Sequence, residues 1–183
     1  MTAPGSPAET LDLAALVRHH IDAENRRDLV AVMDTVAPGD AAEYLVKSTG
    51  ERWHTREAIR RFYGDWFAAV PDLRVDIVTL TADSLHRRAV VEVRVTGTLK
   101  KPFGGLLPNG RSFILDSAVV YELDPSGRLT LERSSLDKTQ ILEAMGLIAS
   151  TKSPLGRFLL LATQSPVYAV RCAVRAFFEM NKG

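Results

Sequence analysis

Glu132 and Ser134 stand two residues apart in a segment patterned as a strand, so both side chains fall on one face unless a bulge intervenes. A carboxyl held in an apolar hollow has its pKa raised and can give or take a proton near neutrality. A serine hydroxyl can donate a hydrogen bond but is a poor base. The plainer reading of Glu132 is a solvated strand residue paired with an arginine. One segment earlier, Phe113, Leu115, Ser117, Val119 and Tyr121 share one face. Ile114, Asp116, Ala118, Val120 and Glu122 share the other. Ser117 and Tyr121 are hydrogen-bonding candidates if their face is the inner one.

Other polar and aromatic residues are candidates for the mouth of such a hollow: Tyr44, Trp53, His54, Tyr63 and Trp66. His54 precedes a helix and is either a general base or a loop residue near the N-cap. His20 lies on the apolar stripe of the first helix and reads as a hydrogen-bonded core residue. The four histidines show no metal-ligand spacing and Cys172 stands alone, so no metal site is expected. Gly104-Gly105 and Asn109-Gly110 lack the Gly-Lys-Ser/Thr ending of a phosphate loop and read as a loop beside the pocket.

The run His54 to Ile77 must position the aromatic residues. Ala58, Ile59, Phe62, Tyr63, Trp66, Phe67 and Val70 recur at helical spacing. Thr55 can cap the start, Glu57 suits the first turn, and Pro71 stops the helix. A helix so rich in aromatics has to lie across something concave. Before it, Ser6-Pro-Ala-Glu9 resembles a capping box. Leu13, Leu16, Val17, His20 and Ile21 then form the stripe of a first helix, which Asn25 to Asp28 breaks. Leu29, Val32, Met33 and Val36 point inward from a short second helix that ends before Pro38-Gly39. A short strand is expected at 44–47, and four more at about 74–80, 87–100, 112–123 and 128–134. Asp124-Pro-Ser-Gly127 is a hairpin turn, and Asp137 caps a helix ending at Gly146. On the second long strand Glu92, Arg94 and Thr96 oppose Val91, Val93 and Val95. The polar face reads as solvated or dimer-facing, with cross-strand ion pairs to residues such as Glu122 or Arg133. Helices first and antiparallel strands later indicate α+β. The expected shape is a cone-shaped curved antiparallel β-sheet wrapped by three N-terminal helices, enclosing a ligand-sized pocket.

Composition narrows the possibilities. A chain of 183 residues with 46% hydrophobic and 25% charged residues suits one soluble domain with an appendage. A net charge of +1 gives no case for nucleic acid as the main partner. One cysteine excludes an intrachain disulfide framework and fits a reducing, cytoplasmic setting. No secretory signal core is read at the N-terminus, and no stretch reaches the roughly 18 apolar residues of a membrane span.

Three segments carry a resemblance. They are His54 to Ile77; the strand, Gly/Pro loop and Gly-Arg re-entry from Val95 to Arg111; and Ser126-Gly-Arg-Leu129 through Asp137 to Met145-Gly-Leu147. Over about residues 10 to 148 this pattern resembles the nuclear transport factor 2-like superfold, and within it the SnoaL-like polyketide cyclase branch. The resemblance implies the cone and a cofactor-independent chemistry of secondary metabolism. It also implies that the Val119 face points into the pocket, leaving Asp116 outside. Aromatic polyketide cyclases of this branch use an Asp on the last long strand and a His on the preceding one. Ser134 falls at the Asp position and Val119 at the His position, so that pair is absent. The ketosteroid isomerase base position falls near Val46, its oxyanion-hole tyrosine has no counterpart on the first helix, and the Asp-Arg-Asp set of limonene-epoxide hydrolases is not visible.

Beyond Gly146 the chain exceeds a minimal cone by about one helical hairpin. The expected division is a flexible N-terminus over 1–9, the cone domain over 10–148 and a C-terminal helical extension over 149–183. The stripe Val167, Val170, Val174, Phe177 and Phe178 with Arg171, Arg175 and Lys182 leaves three roles open: closing the pocket, joining a homodimer, or touching a membrane surface. Two functional expectations follow. One is a cyclase or isomerase acting on a hydrophobic polyketide- or steroid-like small molecule. Its catalytic candidates are Glu132, Ser134 and Tyr121, with substrate contacts from Tyr44, His54, Tyr63, Trp66, Phe67, Phe113, Ser117 and Val119. The other is a non-catalytic small-molecule-binding or dimerisation module that has lost the Asp/His pair.

Overall fold

A computed structural model describes residues 12–148, 150 and 153–156, with single positions at 158, 166 and 170. The expected capping box at Ser6 to Glu9 and most of the C-terminal extension lie outside the described residues.

Helix α1 (Leu13–Arg26) begins where the Asp12 carboxylate accepts the Ala15 N–H at 3.0 Å. It runs through Asn25, two residues into the expected break, and stops at Arg27, whose φ of 54° is left-handed. Asn25 pins the helix to the sheet by exchanging two hydrogen bonds with the Val75 backbone, at 2.7 and 2.9 Å. Helix α2 (Leu29–Thr35) starts in the same way, with Asp28 accepting from the Ala31 N–H. Strands β1 (Glu43–Val46) and β2 (Glu51–His54) form a small hairpin before α3 (Arg56–Ala69). Thr55 caps α3 through its hydroxyl, which accepts the Ala58 N–H at 3.1 Å. Strands β3 (Arg74–Asp83), β4 (Arg88–Thr98), β5 (Ser112–Leu123) and β6 (Leu129–Leu136) follow, then α4 (Lys138–Ala144), capped by Asp137. At the β5–β6 turn Asp124 accepts from the Ser126 and Arg128 amides, and Gly127 takes φ +81°.

The strands form one curved, unclosed sheet in the order β2-β1-β6-β5-β4-β3. The expected antiparallel sheet carries one parallel pairing, β1 with β6. Strands β2 to β5 and helix α3 intervene between those two strands, so no tight turn imposes an antiparallel fit. Register shifts between Ile77 and Thr79 and between Glu122 and Leu123 mark bulges, which add bend. Close approach between β4 and the end of α3 favours a glycine: a Cβ on Gly97 would stand 2.3 Å from Val70 Cγ1.

The concave face of β5 presents Phe113, Leu115, Ser117, Val119 and Tyr121, all buried. Helix α3 turns Ile59, Phe62, Tyr63 and Phe67 toward it. The convex face carries exposed ion pairs, Arg94 with Asp116 at 2.9 Å and Arg88 with Glu122 at 2.7 Å. Pairs so exposed add little stability. Among the described residues no helix is long and apolar enough to cross a membrane.

Candidate active site

Between the concave sheet and α3 lies a cavity of about 520 Å³. Its walls are aromatic. Trp53 stacks on Tyr44 at 5.4 Å, Phe62 tilts against both, and Trp66 sits between Phe103 and Phe113. Thr49, Glu51, Arg61 and Asp65 are exposed and also line it, marking where it opens to solvent. The loop between β4 and β5 contributes Phe103, Gly104 and Leu106. Asn109 holds this loop down by donating to the Met145 carbonyl at 2.6 Å.

The inner end is polar and is built by three elements. Strand β6 supplies Glu132, α3 supplies Tyr63, and α1 supplies His20 and Glu24 one turn apart on its buried side. The Tyr63 hydroxyl stands 2.6 Å from Glu132 Oε2, 2.8 Å from Glu24 Oε1 and 3.2 Å from His20 Nε2. His20 Nε2 is 3.2 Å from Glu24 Oε1 and 3.4 Å from Glu132 Oε2. The carboxylate side chains are 10% and 12% exposed, so neither is solvated as a surface residue would be.

Protons can be assigned on this frame. Thr35 donates its hydroxyl to the Val32 carbonyl at 2.6 Å, so its oxygen accepts from His20 Nδ1–H, also at 2.6 Å. Nε2 is thereby the nitrogen that faces the carboxylates. Burial alone would lower the His20 pKa. The hydrogen bonds to Glu132 and then Glu24, with their charges, override it and push the pKa up to about 10. The ring is therefore an imidazolium wedged between two acids. Burial raises the Glu132 pKa and the Glu24 charge adds to this, against the opposing hydrogen bonds from His20 and Tyr63. A single tyrosine proton can serve only one carboxylate at a time. Tyr63 donates to Glu132 or to Glu24, and the His20 Nε2–H lies within reach of both acids.

Of the residues singled out in the sequence, Glu132, Ser134, Tyr121, Tyr44, Tyr63, Trp66, Phe113, Ser117 and Val119 all line this cavity. Ser117 and Ser134 hydroxyls lie 3.1 Å apart, and Ser117 also reaches the Ser135 carbonyl at 3.2 Å. His54 does not line the cavity; its side chain is 63% exposed, 3.9 Å from Glu43 at the edge of the sheet. Phe67 is not a lining residue either, because its buried ring packs behind Tyr63 at 5.7 Å. Glu24 was missed by the sequence reading, although its signal was present. It continues the stripe Leu13, Val17, His20 by one more turn, a carboxylate where an apolar residue belongs. His20 Nε2 and one oxygen each of Glu24 and Glu132 lie within 4.8 Å of one another, a set that could also ligate a divalent metal.

The chain matches the family described as SnoaL-like polyketide cyclase over residues 14–145, and it belongs to that family. Its fold is shared by solved structures. AclR from Streptomyces galilaeus superposes with a TM-score of 0.65 at 17% identity, covering 78% of this chain and 89% of its own. A SnoaL-like protein from Jannaschia sp. CCS1 gives 0.65 at 22% identity, with 79% and 97% covered. An LEH-like epoxide hydrolase from M. tuberculosis gives 0.60 at 18% identity, with 75% and 92% covered. No curated protein matches the sequence.

Proposed function

We propose that this chain is an acid–base enzyme of the cyclase or isomerase type, acting with its own side chains on a hydrophobic polyketide- or steroid-like molecule. The observation that carries the reading is the Glu132 carboxyl at the inner end of an aromatic cavity, hydrogen-bonded to Tyr63 at 2.6 Å. The Asp and His of related cyclases are replaced here by Ser134 and Val119. A carboxyl two residues upstream and a histidine from another element, α1, can do comparable work. Glu132 exchanges a proton with the bound molecule. Tyr63 passes charge between Glu132 and Glu24, and the imidazolium of His20 stabilises whichever carboxylate is ionised. The aromatic walls hold the substrate in a reactive pose, which is worth several kcal/mol by orientation alone.

A second reaction fits the same groups. A cation flanked by two carboxylates can open an epoxide: one carboxylate takes the proton of an attacking water or hydroxyl, and the other, as a neutral acid, gives one to the departing oxygen. The Glu24–His20–Glu132 arrangement favours this reading, and one fold relative is an LEH-like epoxide hydrolase.

Native mass spectrometry of the protein purified from its own host tests the proposal. A retained lipophilic compound is expected, converted by the wild type and not by Glu132→Gln. Unchanged turnover in that variant would remove Glu132 from the mechanism.

A further inference from the structure

The polar inner end gathers four donor atoms: His20 Nε2, Glu24 Oε1, Glu132 Oε2 and the Tyr63 hydroxyl oxygen. They come from α1, β6 and α3. All but one of their separations run from 2.6 to 3.4 Å. The remaining one, between the two carboxylates, closes the set within 4.8 Å. Donors bound to a transition-metal ion at about 2.0–2.1 Å stand about 2.9 Å apart in an octahedral shell and about 3.4 Å apart in a tetrahedral one.

A second observation points the same way. His20 is 0% exposed, and its far nitrogen is fixed: Nδ1–H donates to Thr35, whose hydroxyl is committed to the Val32 carbonyl. Metal-ligating histidines are held in this manner, which aims the other nitrogen and keeps its tautomer. Charge balances as well, because two carboxylates and a neutral imidazole offset a dication in full, leaving no net charge buried. Glu24, Tyr63 and Glu132 line the cavity, so an ion can reach the set from the mouth and keep one side toward a bound molecule.

We propose that His20, Glu24 and Glu132 form a binding site for one divalent first-row transition-metal ion, zinc(II) foremost, with the Tyr63 oxygen at a fourth vertex. An imidazole among the donors suits such an ion better than magnesium or calcium, which favour all-oxygen shells. The ion takes the place of the Nε2 proton, which leaves to solvent through the cavity. Proton and metal are alternative occupants of one centre. The metal-free form offers the acid–base groups described above, and the loaded form offers a Lewis acid to an oxygen of the bound molecule. The site stands whichever reaction the cavity serves.

The test adds zinc(II) or cobalt(II) to the intact protein after treatment with a chelator and dialysis. Calorimetry should show one equivalent of zinc bound. Cobalt should give the intense visible bands of a four- or five-coordinate shell rather than the weak ones of a hydrated ion. His20→Gln and Glu24→Gln should each lower zinc affinity at least tenfold. Thr35→Val, which touches no part of the ion, should lower it about tenfold, and Thr35→Ser should restore it. His86→Gln, which removes the exposed His86–Asp83 pair, should change nothing. No stoichiometric zinc binding by the wild type overturns the proposal. So does equal affinity in the wild type and Glu24→Gln, which marks an adventitious surface site. If His20→Gln does not fold, Glu24→Gln and the cobalt spectrum decide. No readout involves turnover, so a failure here is separable from a failure of Glu132 as the acid–base group.

Discussion

The Thr35 hydroxyl and His20 Nδ1 are 2.6 Å apart, and the hydroxyl proton is already committed to the Val32 carbonyl. A residue at the end of α2, touching no wall of the cavity, thus decides which nitrogen of His20 meets the two carboxylates. Second-layer contacts of this kind commonly set a ring's tautomer and orientation. Thr35→Val should lower the His20 pKa and allow the ring to rotate, while Thr35→Ser should restore both. Nitrogen-15 chemical shifts of His20 across pH report the tautomer and the titration directly.

The imidazolium of His20 makes stability depend on pH. Its pKa rises from 6.5 to about 10 in the folded state, so the fold binds this proton more tightly than the unfolded chain does. The stabilisation is complete below about pH 6.5 and is lost as pH rises toward about 10. Urea unfolding over that range should show falling stability in the wild type and a flatter profile in His20→Gln. At pH 6 the variant should itself be less stable by about 3–5 kcal/mol, since a buried charge pair loses one member.

Glu132 should leave its mark on rate. Its pKa is raised from 4.5 by burial and by Glu24, so the neutral acid persists above the ordinary carboxylate range. The pH dependence of turnover should carry an inflection above 4.5 that disappears in Glu132→Gln. Glu24→Gln removes one source of the raise and should move the inflection downward without abolishing it.

Packing where β4 meets the end of α3 predicts a different effect. Gly97→Ala drives a methyl to 2.3 Å from Val70 Cγ1, in a strand with neighbours on both sides. The expected destabilisation is about 1–3 kcal/mol, the usual cost of overpacking. Denaturant midpoints measure it, and the inner-end pH behaviour should be unchanged.

Much of the architecture was legible because it follows local periodicity. The α3 stripe, the Thr55 and Asp137 caps and the alternation of β5 each needed only a short window of sequence. Strand β2 was not seen because four residues at a sheet edge, only Trp53 of them half-buried, leave no alternation to read. The site was half legible. Glu132 and Ser134 follow from a period of two, and the inner face of β5 follows from family resemblance. The Glu24 and His20 partnership with Glu132 joins residues more than a hundred positions apart, and no spacing rule spans that distance. Linear ligand motifs fail here for the same reason. His54 and Phe67 show the converse error: both sit in an aromatic-rich stretch, yet one turns to solvent and the other packs behind the wall.

Strand β6 has hydrogen-bonded neighbours on either side, β1 and β5, so the segment bearing Glu132 is braced across its whole width. Its amides should be among the last to exchange with deuterated solvent, opening only when the domain as a whole comes apart. Any breathing that admits a bulky guest must then come from the opposite wall, where the Phe103–Leu106 stretch and α3 meet. The carboxyl proposed to exchange protons is thus carried by a strand paired on both edges, and the aromatic wall facing it is borne by a helix and a loop.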